Sequence, residues 1–281
     1  MPSISLVVLT YNEEPNLDHC LQSVQGLVQE IFIVDSGSTD HTTSIARRYT
    51  DRIVFHEFQN QASQFNWAID NLPISGDWVL RLDADELLLP ELRDEIARVL
   101  PTLPEDVTGL YMKRRVHFKG RWIRHGGYYP IWLLRLFRRG KARSEQVEMD
   151  EHIVVLEGET RRLRNDFVDE NHKDLAFWTA KHEAFAGREA RVLMRQRART
   201  KTGDTDARPP RGRQEMRRWL KTNVYARAPL FLRAFAYFIY RYFFRLGFLD
   251  GVEGLVFHVL QGFWYRFYVD AKIWEAEHRL G

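Results

Sequence analysis

Asp83-Ala84-Asp85 places two carboxylates one residue apart at the end of an apolar run, Trp78 to Leu82. Such a pair at a strand terminus can hold a hard divalent cation, Mg²⁺ or Mn²⁺, whose other ligands would be phosphate oxygens. A cation there would neutralise a departing nucleoside diphosphate. Asp-x-Asp also occurs in many surface turns, so the spacing alone says little and its position must decide. Tyr11, just after the apolar run Ile4 to Leu9, offers a flat ring for stacking on a base. Asp35, just after Ile31 to Val34, offers an acceptor for a base imide N–H. Taken singly, Tyr11 reads better as a rim aromatic and Asp35 as a turn residue capping its own backbone. Arg135 and Arg138 in LLRLFRR suit phosphate oxygens, and the competing reading is a solvated strand face.

These residues gain meaning from the elements that carry them. Ile4 to Leu9 is a short, β-branched run that predicts a buried strand. Pro15 then fits a first helical turn, and Leu17, Cys20, Leu21 and Val24 follow at helical spacing. Ile31 to Val34 predicts a second strand, ending in Asp35-Ser36-Gly37-Ser38-Thr39-Asp40, and residues 41–49 a short helix. Arg52 to Phe58 predict a third strand. Phe65, Ala68, Ile69 and Leu72 mark a helix, and Trp78 to Leu82 a fourth strand. Alternating strands and helices with short connections imply an α/β fold whose mostly parallel sheet is covered on both faces. In such sheets ligands bind beyond the carboxyl ends of the strands, where Tyr11, Asp35, Asp83 and Asp85 should converge. Glu91 to Leu100 predict a helix, residues 108–156 irregular strands, and 172–199 a helix. Residues 200–215 are the best linker candidate, and two or three helices follow from Arg217.

Composition bounds the rest. The chain has 281 residues, 44% hydrophobic and 28% charged, which excludes global disorder and fits one large or two small domains. A single cysteine, Cys20, excludes an internal disulfide and disfavours a cysteine zinc site. The run Ile4 to Leu9 is too short for a signal peptide, and no stretch reaches 18 uncharged residues, so a conventional transmembrane helix is not expected. The net charge is +3, yet twelve Arg/Lys face four Asp/Glu between Gly187 and Lys221.

LVVLTYNEE, IVDSGSTD and RLDADE, in that order, resemble the family 2 inverting glycosyltransferases of the GT-A fold. FWTAKHEAFAGREA and YRYFFRLGFLDG are similar to segments of bacterial lipopolysaccharide-core and envelope-polysaccharide glucosyltransferases. The resemblance implies a metal-dependent enzyme using Mg²⁺ or Mn²⁺. It would transfer a hexose, glucose-type, from a UDP-linked donor to a lipid-linked saccharide in envelope or exopolysaccharide synthesis. Tyr11 and Glu13 would contact the nucleotide and Asp35 its uracil. Asp83 would touch ribose or metal, Ala84 would line the pocket, and Asp85 would ligate the metal. Relatives often carry Gln-Arg-Asn where this chain has Gln64-Phe65-Asn66, so Gln64 alone carries over. The general base would be Glu151 or Asp150 in MDEHIV, with Asp169 and Glu170 as outsiders. His152 or His172 could meet metal or phosphate, His172 being the candidate ligand.

The tail is aromatic. In residues 230–247, Arg233, Arg241 and Arg245 fall within an arc of about 120° on an ideal helix. That pattern predicts a helix lying in a membrane interface with arginines reaching phosphates, and LVFHVLQGFWYRFYVDAKIW repeats it. The expected division is a catalytic domain over 1–180 and a membrane-associating helical region over 181–281. The expected location is cytoplasmic, peripheral on the inner face of the plasma membrane. A buried helical hairpin or a dimer interface is the alternative for the tail. An inactive membrane scaffold of the same fold is the alternative for the whole, disfavoured by the complete acid set of Asp35, Asp83, Asp85 and Glu151. Nucleic acid is not expected as a partner, because the aromatics lie in apolar runs and do not alternate with cations.

Overall fold

The computed structural model describes residues 2–146, 151–201, 219, 225 and 228–278. The chain divides into two compact units, one from residues 1–124 with 128–173, the other from 125–127 with 174–281. The sequence boundary at 180/181 falls inside a helix of the second unit.

In the first unit β1 (Ile4–Thr10), α1 (Leu17–Ser23), β2 (Glu30–Asp35), α2 (Thr42–Ala46), β3 (Ile53–Phe55), α3 (Gln61–Asn71) and β4 (Trp78–Asp83) alternate as the sequence predicts. β1 pairs in parallel with β2 and β4, and β2 with β3. The alternation of β1 explains its burial. Ile4, Leu6 and Val8 enter one core with Leu17 and Leu21 of α1, while Val7 enters another with Phe65 and Ala68 of α3. Ser5 is the polar exception. Its hydroxyl donates to Glu30 (2.5 Å) and accepts from Gly76 N–H (3.0 Å). A Cβ on Gly76 would lie 2.5 Å from that hydroxyl, so only glycine fits the approach. Each buried Leu or Phe contributes about 1.5–3 kcal/mol relative to exposure.

The strands continue as β5 (Glu86–Leu88), β6 (Val107–Phe118), β7 (Arg121–Trp122), β8 (Ile131–Arg138), β9 (Ala142–Ser144), β10 (Ile153–Val155) and β11 (Glu159–Glu170), with α4 (Pro90–Val99) after β5. The main sheet runs β3-β2-β1-β4-β8-β6-β11-β5, with β7 on β6, while β9 and β10 pair separately. β8 is antiparallel to both β4 and β6. β6 and β11 are parallel to each other. β5 and β11 lie outside the strands read from sequence. β5 has three residues, and the first four residues of β11, Glu159 to Arg162, are polar and exposed. In the β6–β8 ladder Leu110 faces Leu136 and Tyr111 faces Leu134, so Arg135 is the extra residue of a β-bulge.

The second unit contains α5 (Leu175–Lys201), α6 (Leu232–Ile239), α7 (Gly251–Phe257) and α8 (Tyr265–His278). Ala186, Ala190 and Leu193 of α5 pack on Tyr265, Val269 and Ile273 of α8. The ideal-helix reading of residues 230–247 needs correction. α6 passes into a π-helical turn over Tyr240–Phe244, and Leu246 takes a left-handed conformation with φ of 60°. Arg233 is buried and ion-paired with Asp270 at 2.5 Å, so it does not share an exposed polar arc with Arg241 and Arg245. Among the described residues no helix is long and apolar enough to cross a membrane. Residues 202–215 of the linker candidate lie outside the described residues, and 200–201 belong to α5.

Candidate active site

The register places the motifs side by side. Thr10 at the end of β1 faces Asp35 on β2, and Leu9 faces Asp83 on β4. The loops after β1 and β2 are sewn together. Asn12 N–H donates to Ser38 Oγ (2.8 Å), Asn12 Oδ1 accepts from Thr39 N–H (2.8 Å), and Glu13 N–H donates to Thr42 Oγ1 (2.7 Å). Asn12 has φ of 53°, a conformation that Asn adopts more readily than most residues. Tyr11 stands beside these links with 57% of its surface exposed.

Asp35 is buried and spends its acceptor capacity on its own turn and on the end of β1. Oδ1 accepts from the N–H groups of Gly37 (2.9 Å) and Ser38 (2.8 Å), and Oδ2 from the hydroxyls of Thr10 (2.8 Å) and Ser38 (2.6 Å). A carboxylate accepts about four hydrogen bonds, so the geometry is that of the turn cap. Gln64 is buried as well, donating to Ser36 Oγ (2.7 Å) and the His56 carbonyl (3.2 Å). It braces the loops after β2 and β3.

The acidic turn after β4 carries the densest electrostatics. Asp83 Oδ2 accepts from Arg135 Nη2 (3.0 Å) and Oδ1 meets Arg81 Nη2 (3.5 Å). Arg135 also donates to the Glu86 carboxylate, whose other oxygen accepts from Asp83 N–H (3.1 Å). The bulge is what aims Arg135 here, a common use of bulges beside functional sites. Burial pushes the Glu86 carboxyl up to about 8 against the pull of Arg135. Burial also lowers the affinity of Arg81 for its proton, an effect opposed by Asp83 and by the charge of Glu151. Neither Arg81 nor Glu86 was among the residues singled out in the sequence. Their signal was a charge inside the apolar run of β4 and the acid following Asp85. Ala84 is buried in the core beneath the turn. Cys20 donates its thiol to the Asp83 carbonyl at 3.7 Å, and burial keeps that thiol protonated.

Asn171-His172-Lys173, which follows β11, closes on that turn and on the loop after β1. Asn171 Nδ2 donates to Asp85 Oδ2 (2.9 Å), His172 N–H to Asn16 Oδ1 (2.8 Å), and Lys173 Nζ to Glu13 Oε1 (2.7 Å). Burial raises the Glu13 carboxyl, while Lys173 and Asn16 pull it down. The His172 ring is 5.1 Å from the His19 ring, and the residue is exposed. Among the described residues no three His, Cys, Asp or Glu side chains form a group able to hold a metal. One or two carboxylates suffice where phosphate oxygens complete the shell. Asp85 fits that role, since its Oδ1 accepts no hydrogen bond from a described residue. Both oxygens of Asp83 face arginines instead.

Glu151 precedes β10 and is half-buried, and its charge is felt at Arg81. The β9–β10 hairpin that carries it is tied to α3 by Asn66, which bonds both backbone groups of Ser144 at 2.9 Å. Asp150 lies outside the described residues. His152 faces Glu145 at 3.8 Å. Of the outsiders, Asp169 pairs with Arg114 (3.2 Å) and Glu170 with His117 (3.5 Å).

Arg138 requires a correction. Because β8 runs antiparallel to β4, Arg138 faces Trp78 at the start of β4, five residues or about 17 Å from Asp83. Its guanidinium donates to the carbonyls of Val107 (2.9 Å) and Pro104 (3.3 Å), holding a strand end far from the acidic turn.

A mostly parallel α/β sheet with an acidic turn after β4 and an antiparallel strand inserted beside it defines the GT-A architecture of nucleotide-sugar transferases. The family model for glycosyl transferase family 2 matches residues 5–168, more than half of the chain, and the chain belongs to that family. It is 31% identical over 171 residues to the lipopolysaccharide core biosynthesis glycosyltransferase LpsC of Rhizobium meliloti, covering 57% of this chain and 60% of LpsC. It is 34% identical over 106 residues to an uncharacterized glycosyltransferase of Rickettsia felis, covering 38% of this chain and 37% of the other. The chain thus spans less than two thirds of these relatives. Among solved structures, glucosyl-3-phosphoglycerate synthase from Mycobacterium tuberculosis, in complex with Mn²⁺, UDP and glucosyl-3-phosphoglycerate, aligns at 25% identity. That match has a TM-score of 0.33 and covers 41% of this chain and 44% of that one.

Proposed function

We propose that this chain is an inverting, metal-dependent glycosyltransferase. It moves a glucose-type hexose from a UDP-linked donor to a lipid-linked saccharide in lipopolysaccharide-core or related envelope-polysaccharide synthesis. The observation that carries the reading is the meeting of Tyr11, Glu13, Asp83, Asp85, Arg81 and Arg135 around the ends of β1 and β4. Family membership supports the transfer chemistry, and the name of the LpsC relative motivates the choice of acceptor.

In this reading the exposed Tyr11 ring stacks on the base, and Asp35 keeps the neighbouring turn in shape. Asp85, with Asp83 beside it, would hold Mg²⁺ or Mn²⁺, and such an ion neutralises diphosphate charge when bound. Arg81 and Arg135 add fixed positive charge at the same turn. Glu151 takes the proton of an acceptor hydroxyl. The freed oxygen forms a bond to the anomeric carbon as the bond from that carbon to the diphosphate oxygen breaks, and the electron pair leaves with the nucleotide.

The helical unit supports a peripheral place on the inner face of the plasma membrane. Phe235, Phe243, Phe244, Leu249, Val252 and Leu255 are all exposed, at 41–76%. Exposed apolar side chains at this density mark an interaction surface, and aromatic rings suit a bilayer interface.

The test is transfer of label from UDP-[¹⁴C]glucose to lipid-linked saccharide extracted from a bacterial envelope. Wild type should move label into the lipid fraction, and Glu151→Gln should not. No transfer from any UDP-, GDP- or dTDP-hexose by folded wild type would favour the inactive scaffold.

A further inference from the structure

Beyond the donor turn, β6, β8 and β11 present one sheet face with an unusual composition. The register sets Lys113 between Trp132 on β8 and Asp166 on β11, and Tyr111 beside Arg162. His117 pairs with Trp122, so Trp122 joins the same face. This is the face on which Val7, Phe65 and Leu134 form a core under α3, but here cations and aromatic rings replace that core.

The rings and cations interleave. Arg162 lies over Trp132 (5.0 Å), Arg115 and Arg124 over Trp122 (4.5 and 5.4 Å), and Lys113 near both Tyr129 and Trp132 (5.9 and 5.8 Å). The buried carboxylate of Asp166 serves Lys113 (3.0 Å), Arg115 (2.6 Å) and the Tyr129 hydroxyl (3.1 Å) at once. Glu170, opposite His117 on the same face, is the second acid there, and two acids do not balance Lys113, Arg115, Arg124 and Arg162, so the face keeps a positive excess. Lys113 and Arg115 retain 20% and 32% of their side-chain surface, and Arg162 is exposed.

A structural salt-bridge cluster would pair its charges. A nucleic-acid groove would be far more basic overall than a chain of net charge +3. Aromatic faces edged by cations suit a sugar ring bearing negative groups. The ring's C–H face lies on indole, and carboxylate or phosphate oxygens meet guanidinium and ammonium. The same strands lead to the donor turn, since Asp169 on β11 faces Glu86 and lies three residues, about 10 Å, beyond Asp166.

We infer that the β6–β8–β11 face carrying Lys113, Trp132 and Arg162 binds the acceptor saccharide and is built for one bearing carboxylate or phosphate groups. This rests on the transferase reading above. Trp132 and Trp122 supply stacking surface, Arg162 and Lys113 receive the anionic groups, and Asp166 fixes Lys113 and Arg115 in place.

The experiment measures binding of three probes to the full chain by calorimetry: trigalacturonate, a mannose trisaccharide monophosphate and neutral maltotriose. Each is titrated into wild type, Arg162→Gln, Lys113→Gln and Trp132→Phe. UDP with Mn²⁺ is titrated into the same four proteins. At least one anionic probe should bind wild type about tenfold more tightly than maltotriose, and Arg162→Gln should erase that preference. Preference for trigalacturonate alone assigns carboxylates, and preference for the phosphorylated probe alone assigns phosphate. Equal affinity for charged and neutral probes, or variants that bind like wild type, would overturn the inference. Nucleotide binding without saccharide binding sinks this face alone, and saccharide binding without nucleotide binding sinks the donor reading alone.

Discussion

Arg135 Nη2 lies 3.0 Å from Asp83 Oδ2 and donates to Glu86 as well, and it reaches both because Arg135 is the bulged residue between Leu134 and Leu136. One buried guanidinium thus holds two carboxylates of the same turn. Arg135→Met should lower unfolding free energy by about 1–3 kcal/mol, because it leaves the buried Glu86 and the half-buried Asp83 without their shared donor. Adding Glu86→Gln should recover part of that loss. Urea unfolding measures both, and an unchanged midpoint in Arg135→Met would show that the network does not hold the turn.

Lys173 and Glu13 form the second clamp on this end of the sheet. Lys173→Met should raise the Glu13 carboxyl further above its ordinary range, since burial already raises it and Lys173 is a leading opposing influence. UDP affinity should fall about tenfold, about 1.4 kcal/mol, if the loop after β11 helps to shape the site. Titration with UDP and Mn²⁺ checks this, and equal affinity in the variant would confine Lys173 to a structural tie.

At the other end of the sheet, Glu30 links β1, β2 and the approach to β4. Burial works against its charge, but hydrogen bonds from Ser5 and Ser75 and the charge of Arg52 prevail and bring it down to about 2. A carboxyl lower in the folded than in the unfolded chain stabilises above the unfolded value of 4.5, and that contribution is lost as pH falls toward 2. Thermal unfolding between pH 5 and pH 2 should therefore show a shallower acid loss in Glu30→Gln than in wild type. Parallel curves would contradict the assignment.

The membrane reading concerns Phe243 and Phe244, which are 54% and 76% exposed. Replacing both by Ser should reduce flotation with vesicles containing anionic lipid by about tenfold while leaving UDP binding intact. Raising salt should weaken wild-type flotation as well, because cations near the surface contribute. Flotation by the double variant equal to wild type would remove this face from the account.

The sequence made some of this legible and hid the rest for physical reasons. β1, β2 and β4 announce themselves because both faces are buried, which forces continuous apolar runs such as Ile4 to Leu9. The meeting of Tyr11, Asp35 and Asp83 at their ends follows from parallel topology. β11 is hidden because Glu159 to Arg162 are exposed, and of the rest only Leu163, Asp166, Phe167 and Val168 are buried. Missing that strand meant missing Asn171 and Lys173, which it delivers to Asp85 and Glu13. Arg135 and Arg138 look alike in LLRLFRR, and only the direction of β8 and the bulge separate them. Arg233 looked like a lipid-facing cation, but Asp270, far along the chain, buries it. A helical wheel cannot foresee that pairing, nor the π-helical turn at Tyr240–Phe244 that changes the angular step.

The nucleoside-diphosphate site proposed for this chain is centred on Asp85. Calorimetric titration with UDP, GDP and dTDP, each with and without Mn²⁺, on wild type and Asp85→Ala tests it most directly. UDP should bind wild type only with Mn²⁺ and should not bind Asp85→Ala, with both proteins folded by circular dichroism. Equal, metal-independent UDP binding by the two proteins, or no nucleotide binding by folded wild type, would contradict it.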